Sequence, residues 1–204
     1  MNAGKGPNMS GASRTKQLLA DSLKELMRKM PLEKISVSDI VEHAGIGRNT
    51  FYYHFQDKYD LVNWIFQTES TRFFAEHITS ENWASSLECI EDYLQQNREF
   101  YCNALAYTGQ NSLQEYMFDT ICSQVAERVH EIEIPELRDL TADERQFIGE
   151  FVASAITGMI LRWARRGMKD DPSRYRDCVR RLCDGTLIHA YLNQPGLPER
   201  GREN

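Results

Sequence analysis

The 204-residue chain has 41% hydrophobic and 26% charged side chains and a formal net charge of −6, the balance of an ordinary globular protein with one large domain or two modest ones sharing a core. No run approaches the roughly 18 apolar residues of a membrane helix and the N-terminus lacks an apolar signal-peptide region, so a cytoplasmic protein without a membrane partner is expected. The five cysteines (Cys89, Cys102, Cys122, Cys178, Cys183) are scattered, none in a CxxC or at metal-ligand spacing from a histidine, and they read as small reduced hydrophobes with no metal and no cofactor to hold.

Residues 1–12, "MNAGKGPNMSGA", read as a flexible arm. From Ser13 onward Leu19, Leu23, Leu26 and Met30 form a helical stripe that Pro31 ends. In "SVSDIVEHAG", Ser36 is an N-cap with Asp39 three residues on, Val37, Ile40, Val41 and Ala44 line one face, and Gly45 stops the helix. Only Gly45-Ile46-Gly47 separates it from a helix over 48–54, and two short helices joined by a tight glycine-containing turn describe a helix-turn-helix.

Asp57, with Asp60 at the third position, starts a longer helix over 57–76, and further helices are expected at 82–96, 97–107 and 110–132. Pro135 marks a loop before helices at 143–167, ended by Gly167, and at 171–192, followed by a disordered tail over 193–204. No strand pattern or internal repeat intervenes. The chain reads as all-α, with a three-helix helix-turn-helix head over 1–56 and a helical ligand-binding and dimerisation body over 57–192.

Charge separates the same two regions. Residues 1–60 hold nine Lys/Arg against seven Asp/Glu, a balance of +2 that leaves −8 for the remainder, as in a polyanion-binding head on an acidic body. On the 48–54 helix, Phe51 and Phe55 share one face and can anchor it, leaving Arg48, Asn49, Thr50, Tyr52, Tyr53 and His54 projecting outward. Arg and Asn carry the forked groups that match guanine and adenine edges in the major groove, whereas Thr and Tyr hydroxyls suit phosphate oxygens. Lys58, at the start of the next helix, suits phosphate as well.

The stretch "KISVSDIVEHAGIGRNTFYYHFQDKYDLV", with its turn "AGIG", its helix "TFYYHF" and its "DK..L" entry to a fourth helix, resembles the DNA-binding head of the TetR family of bacterial transcriptional regulators. The resemblance covers residues 14–62 and implies a homodimer that binds a palindromic double-stranded DNA operator under the control of an unknown small-molecule or protein effector. Carried over by position, it assigns Phe51 and Phe55 to packing and Tyr52 and Lys58 to phosphates. Arg48, Asn49, Tyr53 and His54 fall at positions that vary with operator sequence. Gly47 departs from the pattern, standing where the family often has a capping Ser or Thr. The segment "FVASAITGMILRWARRGMKDDPSRY" is similar, less specifically, to the DhaS-like branch, named for activators of dihydroxyacetone kinase operons.

In the body, Trp64, Tyr93, Phe100 and Tyr116 are candidates to line an effector cavity, although ordinary bundle core describes them equally well. Ile156, Ile160 and Trp163 on the first of the two C-terminal helices, and Val179 and Leu182 on the second, are candidates for a four-helix dimer interface. No glycine-rich phosphate loop, HExxH or nucleophile elbow supports an enzyme. The alternative reading is a helical interaction protein, coactivator-like, that acts through a protein partner and binds DNA weakly on its own.

Overall fold

The computed structural model describes residues 11–77, 91–128 and 140–171 together with Arg181, and every element among them is helical. The head contains α1 (Gly11–Met27), α2 (Val37–Ala44) and α3 (Arg48–His54), with a short 3₁₀ turn at Leu32–Lys34. Then α4 (Lys58–His77) leads into a body that contains α5 (Arg98–Ala104), α6 (Leu113–Arg128) and α7 (Ala142–Arg165). Residues 91–96 are also helical, immediately before α5. The expected helix over 171–192 lies outside the described residues except for Arg181, itself helical. The tail, the loop at Pro135 and most of the 82–96 helix lie outside them too.

The boundaries differ from expectation in places, each for a local reason. Gly11 and Ala12, assigned to the arm, already belong to α1, where the Thr15 hydroxyl donates to the Gly11 carbonyl at 3.1 Å. The helix ends at Met27 rather than running to Met30, because Pro31 disfavours helical backbone in the residue before it. At α7, Thr141 and Glu144 form a reciprocal capping box, so the helix begins one residue earlier than expected. Gly167, at φ +72°, follows its end.

One buried cluster runs through head and body alike. Leu19 and Leu23 of α1 meet Ile40 of α2 and Phe51 of α3, and α4 carries the cluster onward through Leu61, Val62 and Ile65 to Tyr101, Leu113 and Met117. The core is therefore unbroken across the boundary expected at residue 56.

In the body α6 and α7 pack along most of their lengths. Their approach is close because the inner face of α7 carries small residues, Gly149, Ala153, Thr157 and Ala164. A Cβ placed on Gly149 would lie 2.7 Å from the Cys122 carbonyl oxygen. The outer face is the reverse, leaving Phe147, Phe151 and Met159 exposed. The expectation that no segment suits a membrane needs correction here: α7 is long and apolar enough to cross one by length and composition alone, with an 18-residue window of mean hydropathy 1.3. That apolarity is divided between a close-packed inner face and a solvent-facing outer one.

Candidate nucleic-acid interface

The head's geometry starts from its caps. The Ser36 hydroxyl accepts the Asp39 amide at 3.2 Å, and the Asp39 carboxylate accepts the Ser36 amide at 2.7 Å, closing the start of α2. The Ser36 hydroxyl also donates to the Asp39 carboxylate at 2.7 Å, and this bond, together with that from the Ser36 amide, holds the Asp39 carboxyl below the ordinary carboxylate range. Gly45 adopts φ +65°, where a side chain would be strained, and turns the chain into α3 after two further residues. Gly47 caps α3 with extended backbone and no side-chain bond, as the sequence implied.

Two faces of α3 then separate cleanly. Phe51 and Phe55 are buried, and the Phe55 ring meets Trp64 of α4 edge-on with centroids 5.7 Å apart. On the other side Arg48, Asn49 and Thr50 are exposed, Tyr53 is 83% exposed and Tyr52 is 48% exposed. His54 is half-buried, edge-on to Tyr53. The structure thus brings six of the seven anticipated DNA-facing residues onto one short helix, five of them exposed and His54 half-buried.

Arg48 is oriented rather than loose. Its guanidinium lies over the Tyr52 ring and makes two long contacts, 3.3 Å to the Tyr52 hydroxyl and 3.5 Å to the Ser38 hydroxyl on α2. Bonds of that length exchange readily for a better acceptor. Ser38 was not anticipated as part of this surface, although its place in the first turn of α2 was readable from the Ser36 cap.

Lys58 is the exception. Its ammonium donates to the carbonyls of Leu32, Glu33 and Ile35 at 2.7, 2.9 and 2.6 Å. An ammonium has three hydrogens, and all three are engaged within the head. The nitrogen expected at a phosphate thus clamps the α1–α2 connection. Burial lowers the Lys58 pKa, outweighing the opposing pull of Glu33, Asp57 and Asp39. The start of α4 is instead capped by Asp57, which accepts the amides of Tyr59 and Asp60 at 2.8 Å each.

Tyr59 stacks on Tyr107, with centroids 4.1 Å apart, and its phenol is pushed up to about 12, chiefly by burial. Among the described residues, the four candidate effector side chains have different surroundings. Trp64 packs on Phe55 beneath the Lys16 ammonium, and Tyr116 sits edge-on to Phe66. Tyr93 donates to the Glu69 carboxylate at 2.5 Å and bonds the Tyr101 hydroxyl at 2.8 Å. Glu69 in turn pairs with Lys24 of α1, and burial raises both phenols. Phe100 is buried in the core and edges a polar cleft of about 270 Å³ between α1 and the start of α5. A second, more open groove of about 510 Å³ runs along α6 and α7 past Phe118, Thr157 and Leu161.

The candidate dimer residues also divide. Trp163 is buried, its indole N–H donating to the Asp170 carbonyl at 3.1 Å, and Ile160 packs on the core of its own chain. Both face inward because small residues at 149, 153 and 157 draw that side of α7 onto α6. Ile156 is half-buried, and Val179 and Leu182 lie outside the described residues. Phe147 and Phe151 take the exposed positions instead.

Residues 19–65 match the family profile described as bacterial regulatory proteins, tetR family, and residues 81–185, just over half of the chain, match that of a transcriptional regulator C-terminal region. The chain belongs to the TetR family of transcriptional regulators. It is a DNA-binding regulator and no enzyme, as the sequence implied.

The chain is 34% identical over 94 residues to the HTH-type dhaKLM operon transcriptional activator DhaS of Lactococcus lactis subsp. lactis (strain IL1403). That match spans 46% of this chain and 50% of the relative, so it covers about half of each protein. Among solved structures, the dihydroxyacetone kinase operon activator DhaS aligns over 86% of this chain and 97% of its own, at 22% identity and a TM-score of 0.58. The fatty acid degradation regulator FadR from Bacillus halodurans aligns over 88% of this chain and 96% of its own, at 16% identity and a TM-score of 0.56. At such identities the likeness is one of fold.

Proposed function

We propose that this TetR-type regulator acts in the cytoplasm as a homodimer, inserting α3 of each subunit into successive major grooves of a palindromic operator. The observation that carries the reading is the division of α3 into a buried aromatic anchor and an exposed face of hydrogen-bonding tips. Arg48 and Asn49 read base edges, the hydroxyls of Thr50 and Tyr52 take phosphates, and Tyr53 and His54 adjust to the particular sequence. Phe147 and Phe151, one turn apart on the outer face of α7, supply the apolar core of the dimer contact, joined by Val179 and Leu182 of the helix expected over 171–192.

The effector reading moves from the aromatic set to the α6–α7 groove. That groove is open to solvent, with Phe118 and Leu161 as apolar lining beside the polar tips of Gln114 and Asp119, and the buried Thr157 hydroxyl beneath it has no hydrogen-bond partner. An effector bound there controls operator affinity only if it favours one arrangement of the heads over another.

Selection of duplexes from a random pool by the purified protein tests the DNA reading. Enrichment of an inverted repeat with half-sites about 34–36 Å apart is expected, from the geometry of dimeric helix-turn-helix proteins. No enrichment by the protein alone would favour the alternative, action through a protein partner. Light scattering on a variant with Phe147→Ser and Phe151→Ser tests the dimer: a monomer with unchanged helicity is expected, and a persistent dimer would sink the assignment.

A further inference from the structure

The nine residues between α1 and α2 are held by short turns, such as the Lys34 and Ile35 amides on the Pro31 and Leu32 carbonyls, and two side chains from elsewhere take further main-chain groups there and at the end of α1. Asn103 reaches across from α5 in the body. Its amide nitrogen donates to the carbonyls of Met27 and Met30 at 2.8 and 2.9 Å, and its amide oxygen accepts the Leu32 amide at 2.8 Å. On the far side of the same residue, Lys58 of α4 takes the Leu32 carbonyl, with those of Glu33 and Ile35. Leu32 is thus gripped at both its N–H and its C=O, and its side chain is buried in the core.

We propose that Asn103 is the positioning residue that sets the angle of the reading head on the body. An amide is the side chain that can give two hydrogens and take one here, and each bond goes to main chain, so the connection is held whatever its side chains. The joint lies where α1 ends and before α2 begins, with α2 and α3 packed as one unit beyond it. A shift of α5 therefore pulls on the head directly, without passing along α4. Glu69, pairing with Lys24 and accepting from Tyr93, ties α1 to the body a second time, so that Asn103 decides orientation rather than attachment.

This inference rests on the DNA-binding reading, and residue-resolved amide exchange on the full-length chain separates the two. Without DNA, Asn103→Ala should speed exchange of the Leu32 amide at least tenfold while the amides of Leu19 and Leu23 stay within twofold, showing that the head remains folded. An unchanged Leu32 amide overturns the proposal whatever DNA does. With a duplex selected by the protein itself, exchange in the native chain should slow in α3 and also across 98–104. In Asn103→Asp, which keeps the acceptor for Leu32 but presents no hydrogens to the Met27 and Met30 carbonyls, α3 should still be protected and the response across 98–104 lost. Protection of α5 that persists in this variant, or that never appears in the native chain when α3 is protected, also overturns it. Failure of α3 to respond in either chain counts against the DNA reading, and the Leu32 result then decides the positioning role alone.

Discussion

Among the described residues, α3 and α7 both expose aromatic rings, and the rings differ. On α3 they are Tyr52 and Tyr53, each ending in a hydroxyl and flanked by Arg48 and Asn49. On α7 they are Phe147 and Phe151, about two-thirds exposed and without a polar tip. A ring with a polar end can leave water and still bond a phosphate or base edge, whereas a bare ring gains only by meeting apolar surface. The exposed face of α3 therefore suits a polar partner and that of α7 an apolar one. The same contrast holds beneath the surface: α3 is anchored by large rings, and α7 by the absence of side-chain volume at Gly149.

Filling that gap should give the largest effect. Gly149→Val drives atoms into the Cys122 carbonyl, where main chain must yield, and should cost about 2–3 kcal/mol of stability in denaturant unfolding. A neutral result would mean that α6 and α7 are spaced more loosely than described. Lys58→Ala should cost about 2 kcal/mol by leaving three carbonyls without their charged donor, and the salt slope of DNA binding should stay as it was. A slope flattened by about one unit would restore Lys58 to the phosphate contacts.

Arg48→Ala and Asn49→Ala should each relax discrimination at particular bases by about 1–3 kcal/mol while leaving thermal stability nearly unchanged. Uniform weakening over all sequences would instead mark them as phosphate contacts. At the start of α2, the Asp39 carboxylate is held below its ordinary range, so its stabilisation is full above that range and lost as pH falls through it. Asp39→Asn should therefore blunt the acid limb of stability below about pH 5 and leave neutral-pH DNA reading intact. The smallest effect belongs to Gly47→Ser. The new side chain meets only the Thr50 hydroxyl, at 3.9 Å, in backbone suited to a cap, and should add a few tenths of a kcal/mol to stability. A loss would show that the cap position is strained.

Most of the head was legible in the chain because its signals are local. Ser36 with Asp39, Gly45, and the spacing of Phe51 and Phe55 each act within four residues, so reading them requires no knowledge of the rest of the fold. The exposed tips of α3 follow once the anchor face is known. The body was legible as helices and as amphipathic faces, and much less as partners. Trp163 and Phe151 are both large apolar residues on one helix, and only the close approach of α6 at Gly149 sends the first inward and leaves the second in solvent. Lys58 was legible only in part for a related reason: a lysine at a helix start suits an anion, and the three carbonyls it bonds here are brought close only by the fold. Asn103 carries no signal at all in its own neighbourhood, since the groups it bonds lie 71 to 76 residues earlier. Sequence alone determined what short-range backbone chemistry decides, the caps, turns and periodic faces; only the tertiary structure decided which polar group meets which, because those pairings depend on distances set by packing between distant segments.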